Sequence, residues 1–333
     1  MSAIIESPFH KGEQQIQQRL GVRGKMERFG RQVIRDFMPE QHQHFYAQLP
    51  FIFVAHADAQ GWPWASILFN EPGFISALDH KNLQINATPV TGDPLNEALN
   101  SGDRWGVLGI ELSTRRRNRL AARVDHVSNQ GITLNIDQAF GNCPQYIQQR
   151  ELALVNPLSM PAAELTELTA FDQQAIALIS HSDTFFVASY IANGSNSVSE
   201  GADVSHRGGK PGFIRLDDDQ SLTIPDYTGN FHFNTLGNFV ENPRAGLLFI
   251  DFERGHVLTL TGTVDILWDS PDRAFFAGAE RLWRFRLDHG RWLKNVLPLR
   301  WALQAYSPNT LLTGSWSEAA AAKKSDSLKN TWQ

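Results

Sequence analysis

Glu71-Pro-Gly-Phe-Ile-Ser-Ala-Leu-Asp-His-Lys-Asn-Leu-Gln-Ile85 and Lys210-Pro-Gly-Phe-Ile-Arg-Leu-Asp-Asp-Asp-Gln-Ser-Leu-Thr-Ile224 are two versions of one pattern, set 139 residues apart from Pro72 to Pro211. One shared Pro-Gly-Phe is within reach of chance, so the test is whether other features keep the same order. They do. A β-rich run opens each copy, PFIFVAHA at Pro50 and TFFVASYI at Thr184. A short amphipathic helix is expected at 93–102 and again at 233–243, each followed by a buried strand, 105–112 and 245–252. A further strand comes after each, 118–127 and 256–267, and the second shows the period-two alternation of a half-buried strand through Leu258, Leu260 and Val264.

Short strands spaced by turn residues, with few helices, argue for antiparallel barrels, because closing a sheet removes its exposed edges. The expectation is a mainly β chain with peripheral helices (α+β), made of two related six-stranded barrel halves. Residues 1–48 read as an N-terminal helical segment, 49–160 as the first barrel, 161–316 as a linking helix plus the second barrel, and 317–333 as a tail. The linking helix is placed at 161–180. Within the first segment, Ile16, Leu20, Phe29, Val33 and Phe37 stand at near-helical spacing, broken by Gly21, Gly24 and Gly30. Pro39 suits the first turn of a further helix, and Pro271 another.

Composition narrows the function. The chain has 333 residues, a net charge of −5, 42% hydrophobic and 20% charged residues. It lacks the basic excess of a nucleic-acid binder. A single cysteine, Cys143, rules out an intrachain disulfide or a thiolate metal cluster and fits a reducing compartment. No apolar run reaches the ~18 residues of a membrane helix, and the start MSAIIESPFHKGEQQ lacks the order of a signal peptide. A cytoplasmic protein without nucleic-acid or membrane partners is expected. Trp283, Trp292, Trp301 and Trp316 cluster late in the chain and read as core.

The chemistry concentrates in the second copy. Glu200-Gly-Ala-Asp-Val-Ser-His-Arg-Gly-Gly-Lys-Pro-Gly212 faces only Gly-Trp-Pro-Trp-Ala-Ser-Ile-Leu-Phe-Asn-Glu-Pro-Gly in the first copy, 61–73. Ser205, His206, Arg207 and Lys210 are therefore peculiar to one half. A guanidinium fork matches phosphate oxygens, and Gly208 and Gly209 allow backbone N–H groups close to an anion. A second block, Pro225 to Asn238, ends a strand and enters the short helix, whose amino terminus favours an anion. Gly229, Asn230, His232, Asn234 and Asn238 lie in it. No GxGxxG, GxxxxGK[ST], HExxH or GxSxG pattern is present. Arg115-Arg-Arg117 reads as a solvated loop and Cys143 as structural; catalytic residues stay unassigned and no metal site is expected.

Ser-x-Arg-Gly (205–208), Pro-Asp-x-x-Gly-Asn (225–230) and the Asn-Pro-Arg that closes the helix (242–244) resemble the flavin-nucleotide-binding proteins related to pyridoxamine 5′-phosphate oxidase. The resemblance is good over 185–268 and looser over 49–150. The stretches around Ser7–Glu13, 279–286, 297–301 and 307–316 resemble a longer subgroup, sometimes fused to a ferredoxin reductase module. The resemblance implies two tandem split barrels binding FMN, with FAD or haem as lesser alternatives. It implies phosphate contacts from Ser205 and Arg207 and a ring-bordering strand at Pro225–Asp226. The polar turn of Asn230 and His232 would finish the phosphate site, although His232 stands where many relatives place Arg. A wall over the ring is expected from Trp62 or Trp64. The implied activity is an FMN-dependent oxidoreductase working between a reduced nicotinamide or similar donor and a small-molecule acceptor, with room for a separate reductase and for a homodimer. The alternative is a non-catalytic flavin or haem binder or sensor, with His206, His232 or His256 as axial ligand.

Overall fold

The structure, a computed structural model, describes residues 6–194 and 197–330, the last three by backbone alone. Residues 1–5 and 331–333, the ends of the expected first and last segments, lie outside the described residues. Three helices come first: α1 (Lys11–Arg19), α2 (Arg23–Val33) and α3 (Glu40–Ala47). Gly21, at φ +69°, makes the turn that parts α1 from α2, and Pro39 precedes α3 as its cap residue. The first half holds β1 (Phe51–Ala57), β2 (Pro63–Phe69), β3 (Ile75–Ala77), β4 (Asn82–Ile85), β5 (Arg104–Glu111), β6 (Arg116–Ser128) and β7 (Gly131–Gly141). Then follow β8 (Gln149–Leu154), β9 (Glu164–Leu168) and α4 (Gln173–His181). The second half holds β10 (Thr184–Ile191), β11 (Gly201–Gly208), β12 (Arg215–Leu216), β13 (Ser221–Tyr227), α5 (Asn234–Glu241), β14 (Arg244–Asp251), β15 (His256–Leu267) and β16 (Ala279–Lys294). The chain closes with β17 (Leu299–Ala305), α6 (Pro308–Leu311) and α7 (Trp316–Asn330).

The sheet orders are β2-β1-β5-β6-β7-β4-β3 and β11-β10-β14-β15-β16-β13-β12. Adding nine to each label of the first gives the second. The duplicated mainly β fold is as expected, but each path has seven strands rather than six, because short β3 and β12 cap β4 and β13. Three helical expectations fail, one of them at Pro271, which begins only a 3₁₀ turn, Pro271–Phe275. Residues 93–102 form only a 3₁₀ turn, Pro94–Glu97, since the Asn100-Ser-Gly102 turn leaves no room for a second helical turn. The expected helix at 161–180 is β9 plus α4. Glu164-Leu-Thr-Glu-Leu168 is drawn into a strand by pairing with β16 from Lys294 to Gly290, and Asp172 then caps α4 by accepting from the Ala175 N–H at 2.7 Å.

Each half has its own apolar core, around Leu68, Trp105 and Leu134 in the first and Phe185, Phe249 and Trp283 in the second. A third core lies between them, built from β1, β2 and β5 against β10, β11 and β14. Registers show how it is arranged. Ala55 pairs with Gly106 and Ala188 with Gly246, so Phe53 and Phe186, two residues earlier, are equivalent positions. Their rings stack on one another at 3.5 Å and 18°. A Cβ on Gly106 would fall 2.6 Å from the Ala202 carbonyl oxygen, and one on Gly246 would fall 2.6 Å from that of Pro63. Ala202 and Pro63 are themselves equivalent, pairing with Tyr190 and Ala57. The halves are thus related by a pseudo-twofold axis through the Phe53–Phe186 stack. The ribbon β8–β17 joins the strand that follows each half.

The amino-terminal segment ties to the second half. Gly12 of α1 and Gly237 of α5 touch backbone to backbone, where a Cβ on Gly12 would lie 2.1 Å from the Gly237 carbonyl oxygen. Phe9, Phe29 and Phe140 surround His232, with ring centroids at 5.5, 6.0 and 5.6 Å. Burial pushes His10, His56 and His232 down to about 4 each, so all three are neutral in the folded protein at neutral pH.

Two predictions follow from this packing. Phe53→Ala and Phe186→Ala should each lower unfolding free energy by about 3–5 kcal/mol; a change below about 1 kcal/mol in a denaturant titration would contradict a load on the axis. For pH, the unfolded chain protonates its histidines near 6.5 while the folded one refuses those protons until about 4. Stability should therefore fall as pH drops from about 6.5 towards 4, partly offset by buried Asp93, which is raised to about 6 and works the other way. In His232→Phe, scanning calorimetry from pH 7 to 5 should show the slope reduced by up to about 1.4 kcal/mol per pH unit, the limit for one proton, approached towards pH 5.

Candidate functional site

At one of the two junctions created by the pseudo-twofold lies a half-open cleft of about 110 Å³. Its walls are β6 (Arg117, Arg119) and the strap 142–146 from the first half, facing β11 (Ser205–Gly208), β13 (Pro225–Tyr227), the turn 228–231 and the first turn of α5. Residues two apart on a strand share a face, which is why Arg117 and Arg119 both point inward.

Four guanidiniums and two carboxylates set the electrostatics. Arg119 pairs with Asp203 at 3.0 Å, donates to Asn234 Oδ1 at 3.2 Å and contacts Ser205 Oγ. Arg207 and Arg281 grip opposite oxygens of buried Asp226, at 2.5 and 2.6 Å. Arg117 donates to the Cys143 carbonyl at 2.8 Å and has no carboxylate partner among the described residues. Burial, with Arg119 and Arg207 nearby, lowers its guanidinium to about 9, so it stays cationic at neutral pH. His206 is 5% exposed, and neither ring nitrogen has a partner. Burial first, then Arg117, Arg150, Arg207 and Arg119, hold it well below its usual range, leaving a neutral imidazole with one donor and one acceptor.

The backbone is strained here. Tyr146 (φ +63°), Phe231 (+60°) and Phe233 (+64°) have left-handed conformations, three of the five such non-glycine residues among those described, and all line this cleft. Aromatic residues adopt that region only when their surroundings impose it, and such strain gathers at functional sites. Phe233 is also the cap position of α5, which has no side-chain cap bond, so the helix presents its first-turn N–H groups towards the cleft.

Of the residues singled out in the sequence, Ser205, His206, Arg207, Pro225, Asp226, Gly229 and Asn230 come together at the cleft. Lys210 does not; it lies 3.6 Å from Glu318 of α7. His232 points away into the phenylalanine nest, where its ring is buried among Phe9, Phe29 and Phe140 and neither ring nitrogen has a partner. Asn238 is turned to the other side of α5 and donates to Ser189 Oγ at 2.9 Å. The glycine pair is not an anion nest. Gly208 ends strand β11, where a Cβ would lie 2.0 Å from the Tyr146 carbonyl oxygen, and the Gly209 N–H donates to the Asp183 carbonyl at 3.0 Å. Trp62 and Trp64 stand elsewhere, the first under the Arg244 guanidinium at 4.2 Å and the second bonded to Asp58. Tyr146 supplies the first half's aromatic wall instead.

Arg117 and Arg119 were the residues missed. Arg115-Arg-Arg117 is not a solvated loop as a unit. Arg115 turns the hairpin and bonds the Ile147 carbonyl, Arg116 lies over the Phe45 ring at 5.0 Å, and Arg117 enters the cleft. The signal was available. Arg119 pairs with Leu108 and Arg117 with Ile110, whereas their counterparts pairing with Leu248 and Ile250 are Thr259 and Val257. Comparing the copies at β6 and β15 exposes the difference.

The other junction is built from the same strands and carries none of this charge. Ser66, Ile67 and Leu68 replace Ser205, His206 and Arg207 by register. Ser66 Oγ donates at 2.6 Å to Asp93, whose carboxylate also accepts from the Leu95 N–H at 2.9 Å and caps the 3₁₀ turn where the second half has α5. An internal carboxylate fills that position.

Residues 171–293 match the family model described as pyridoxamine 5′-phosphate oxidase. No curated protein matches the chain. Among solved structures, HupZ of Group A Streptococcus is 17% identical, covering 35% of this chain and 89% of that one, with a TM-score of 0.28. A FAD-binding protein from Mesorhizobium loti is 12% identical, covering 38% and 97%, with a TM-score of 0.27. A protein from Clostridium acetobutylicum related to general stress protein 26 of Bacillus subtilis, of the pyridoxinephosphate oxidase family, is 14% identical, covering 39% and 92%, with a TM-score of 0.26. These superpositions are too distant to carry weight. The likeness rests on the family match: over residues 171–293 the chain is similar to the pyridoxamine 5′-phosphate oxidase family, and the motifs at 205–208 and 225–230 lie inside that stretch.

Proposed function

We propose that the cleft binds a flavin mononucleotide, FMN, and that the protein is a flavin-dependent oxidoreductase working between a reduced nicotinamide or similar donor and a small acceptor. The observation that carries this reading is the convergence of Arg117, Arg119 and Arg207 with the uncapped start of α5 at one junction only. The donor set fits the group. A free guanidinium on Arg117 and the helix amino terminus suit a phosphate, and the unpartnered nitrogens of buried His206 suit a polar ring edge. The bound flavin would supply electron transfer. The protein's part is to hold the phosphate with Arg117 and the first turn of α5, to border the ring with Pro225 and Asp226, and to exclude water with Tyr146 and Tyr227. Arg281 holds Asp226 in place, so Arg207 stays fixed at the cleft wall.

Both walls come from one chain, so the site needs no second copy, though a homodimer or a separate reductase is compatible with it. No helix among the described residues is long and apolar enough to cross a membrane. We place the reaction in the cytoplasm, in keeping with one exposed, unpaired cysteine.

Titration with riboflavin, FMN and FAD tests the reading. Arg117→Ala should weaken FMN by about 1.5–3 kcal/mol, roughly ten- to a hundredfold, and leave riboflavin unchanged. Arg207→Ala should weaken FMN in the same sense, because it leaves the Asp226 carboxylate at the cleft wall with one cation fewer. Unchanged FMN affinity in both variants would remove the phosphate from this cleft. Bands near ~370 and ~450 nm in the purified protein, reducible by NADH or NADPH under anaerobic conditions, are the expected spectrum; a Soret band near ~400 nm would favour haem instead.

A further inference from the structure

The volume of this half-open cleft, about 110 Å³, is well below the roughly 300 Å³ at which small-molecule pockets begin. A phosphate finds room there; a planar three-ring group does not. Two of the protein's own rings line the cleft and close on each other. Tyr146 of the first half and Tyr227 of the second lie against each other with centroids at 5.1 Å and an interplanar angle of 31°. Two rings with a third stacked between them sit roughly 7 Å apart.

The Tyr146 side is the one built to give way. Tyr227 belongs to β13 and is paired with Ala279 on β16. Tyr146 belongs to the strap, where it holds φ +63° and is latched by its own hydroxyl, which donates to the Thr228 carbonyl at 3.2 Å. Two further ties cross the cleft: Asn230 Nδ2 donates to Asn142 Oδ1 at 2.7 Å, and Arg117 donates to the Cys143 carbonyl. The Arg117 tie uses the same guanidinium that would turn to a phosphate, so an entering anion loosens the strap.

We infer that Tyr146 is the specificity residue of the cleft. It occupies the seat of a planar aromatic ligand in the empty protein, is displaced as that ligand enters, and then covers the ligand's ring against Tyr227. The ligand class is a flat heteroaromatic ring carrying a phosphate monoester, and the ring is selected by Tyr146 separately from the phosphate. This rests on the flavin reading of the site and adds to it a residue and an order of events.

The separation of ring from phosphate makes the test. Tyr146→Ala should weaken riboflavin and FMN by the same factor, roughly tenfold, as loss of one stacking partner does. Arg117→Ala, by contrast, affects FMN alone. Tyr146→Phe should keep both affinities within about twofold and bind FMN faster in stopped flow, because the ring remains and the latch to Thr228 is gone. Flavin fluorescence, quenched on binding to the unaltered protein, should recover in Tyr146→Ala. Tyr146→Gly repeats the experiment with the left-handed backbone relieved, in case the alanine variant folds poorly. If Tyr146→Ala and Tyr146→Gly bind riboflavin as the unaltered protein does, the inference is overturned while the flavin reading stands. If none of riboflavin, FMN and FAD binds the unaltered protein, both fall.

Discussion

The stack of Phe53 on Phe186 is the contact on which the rest depends. Equivalent residues of two copies meet ring on ring only on a twofold axis, and everything placed off that axis occurs in pairs. Gly106 against Ala202 is matched by Gly246 against Pro63; the hairpin wall of β6 against β11 is matched by β15 against β2. Two clefts are thereby laid out by geometry alone, each with a wall from either half. The charged cleft takes a wall from each half, so the candidate site is a property of the junction rather than of either domain.

Chemistry then breaks the symmetry. At one junction a buried acid, Asp226, is clamped by two guanidiniums, another arginine is held by Asp203, and Arg117 is left with only a carbonyl for company. Grouping like charges in a partly buried place is unfavourable without an anion to answer them. At the other junction the same positions are Leu68, Val257 and Thr259, and the hydroxyl of Ser66 is satisfied internally. The strain at Tyr146, Phe231 and Phe233 falls on the charged side alone.

Much of this was legible in the residues. The repeat gave the tandem arrangement, and the contrast between 61–73 and 200–212 pointed to the charged side. The misses have two physical origins. Segments of four or five residues, such as Pro94–Glu97 and Glu164–Leu168, carry too little periodicity to separate a turn, a strand and a helix; β9 exists because β16 offers it an edge. The site residues went wrong where direction mattered. His232 and Asn238 are in the right segment but face away from the cleft, and Arg117 and Arg119 belong to the half that looked bland. A cleft made by two distant stretches cannot be assembled from one of them, although the register comparison that singled out Arg207 finds Arg119 as well.

Joining two copies in one polypeptide has a consequence for how such a site can change. In an assembly of identical subunits, a substitution alters both clefts at once, so a change that suits one role is imposed on the other. Covalent linkage removes that obligation. Asp93, lodged against Ser66 and the Leu95 amide, is what the freedom looks like: one junction is braced by an internal carboxylate, while its sibling holds arginines and a strained strap that a symmetric pair would have to carry twice.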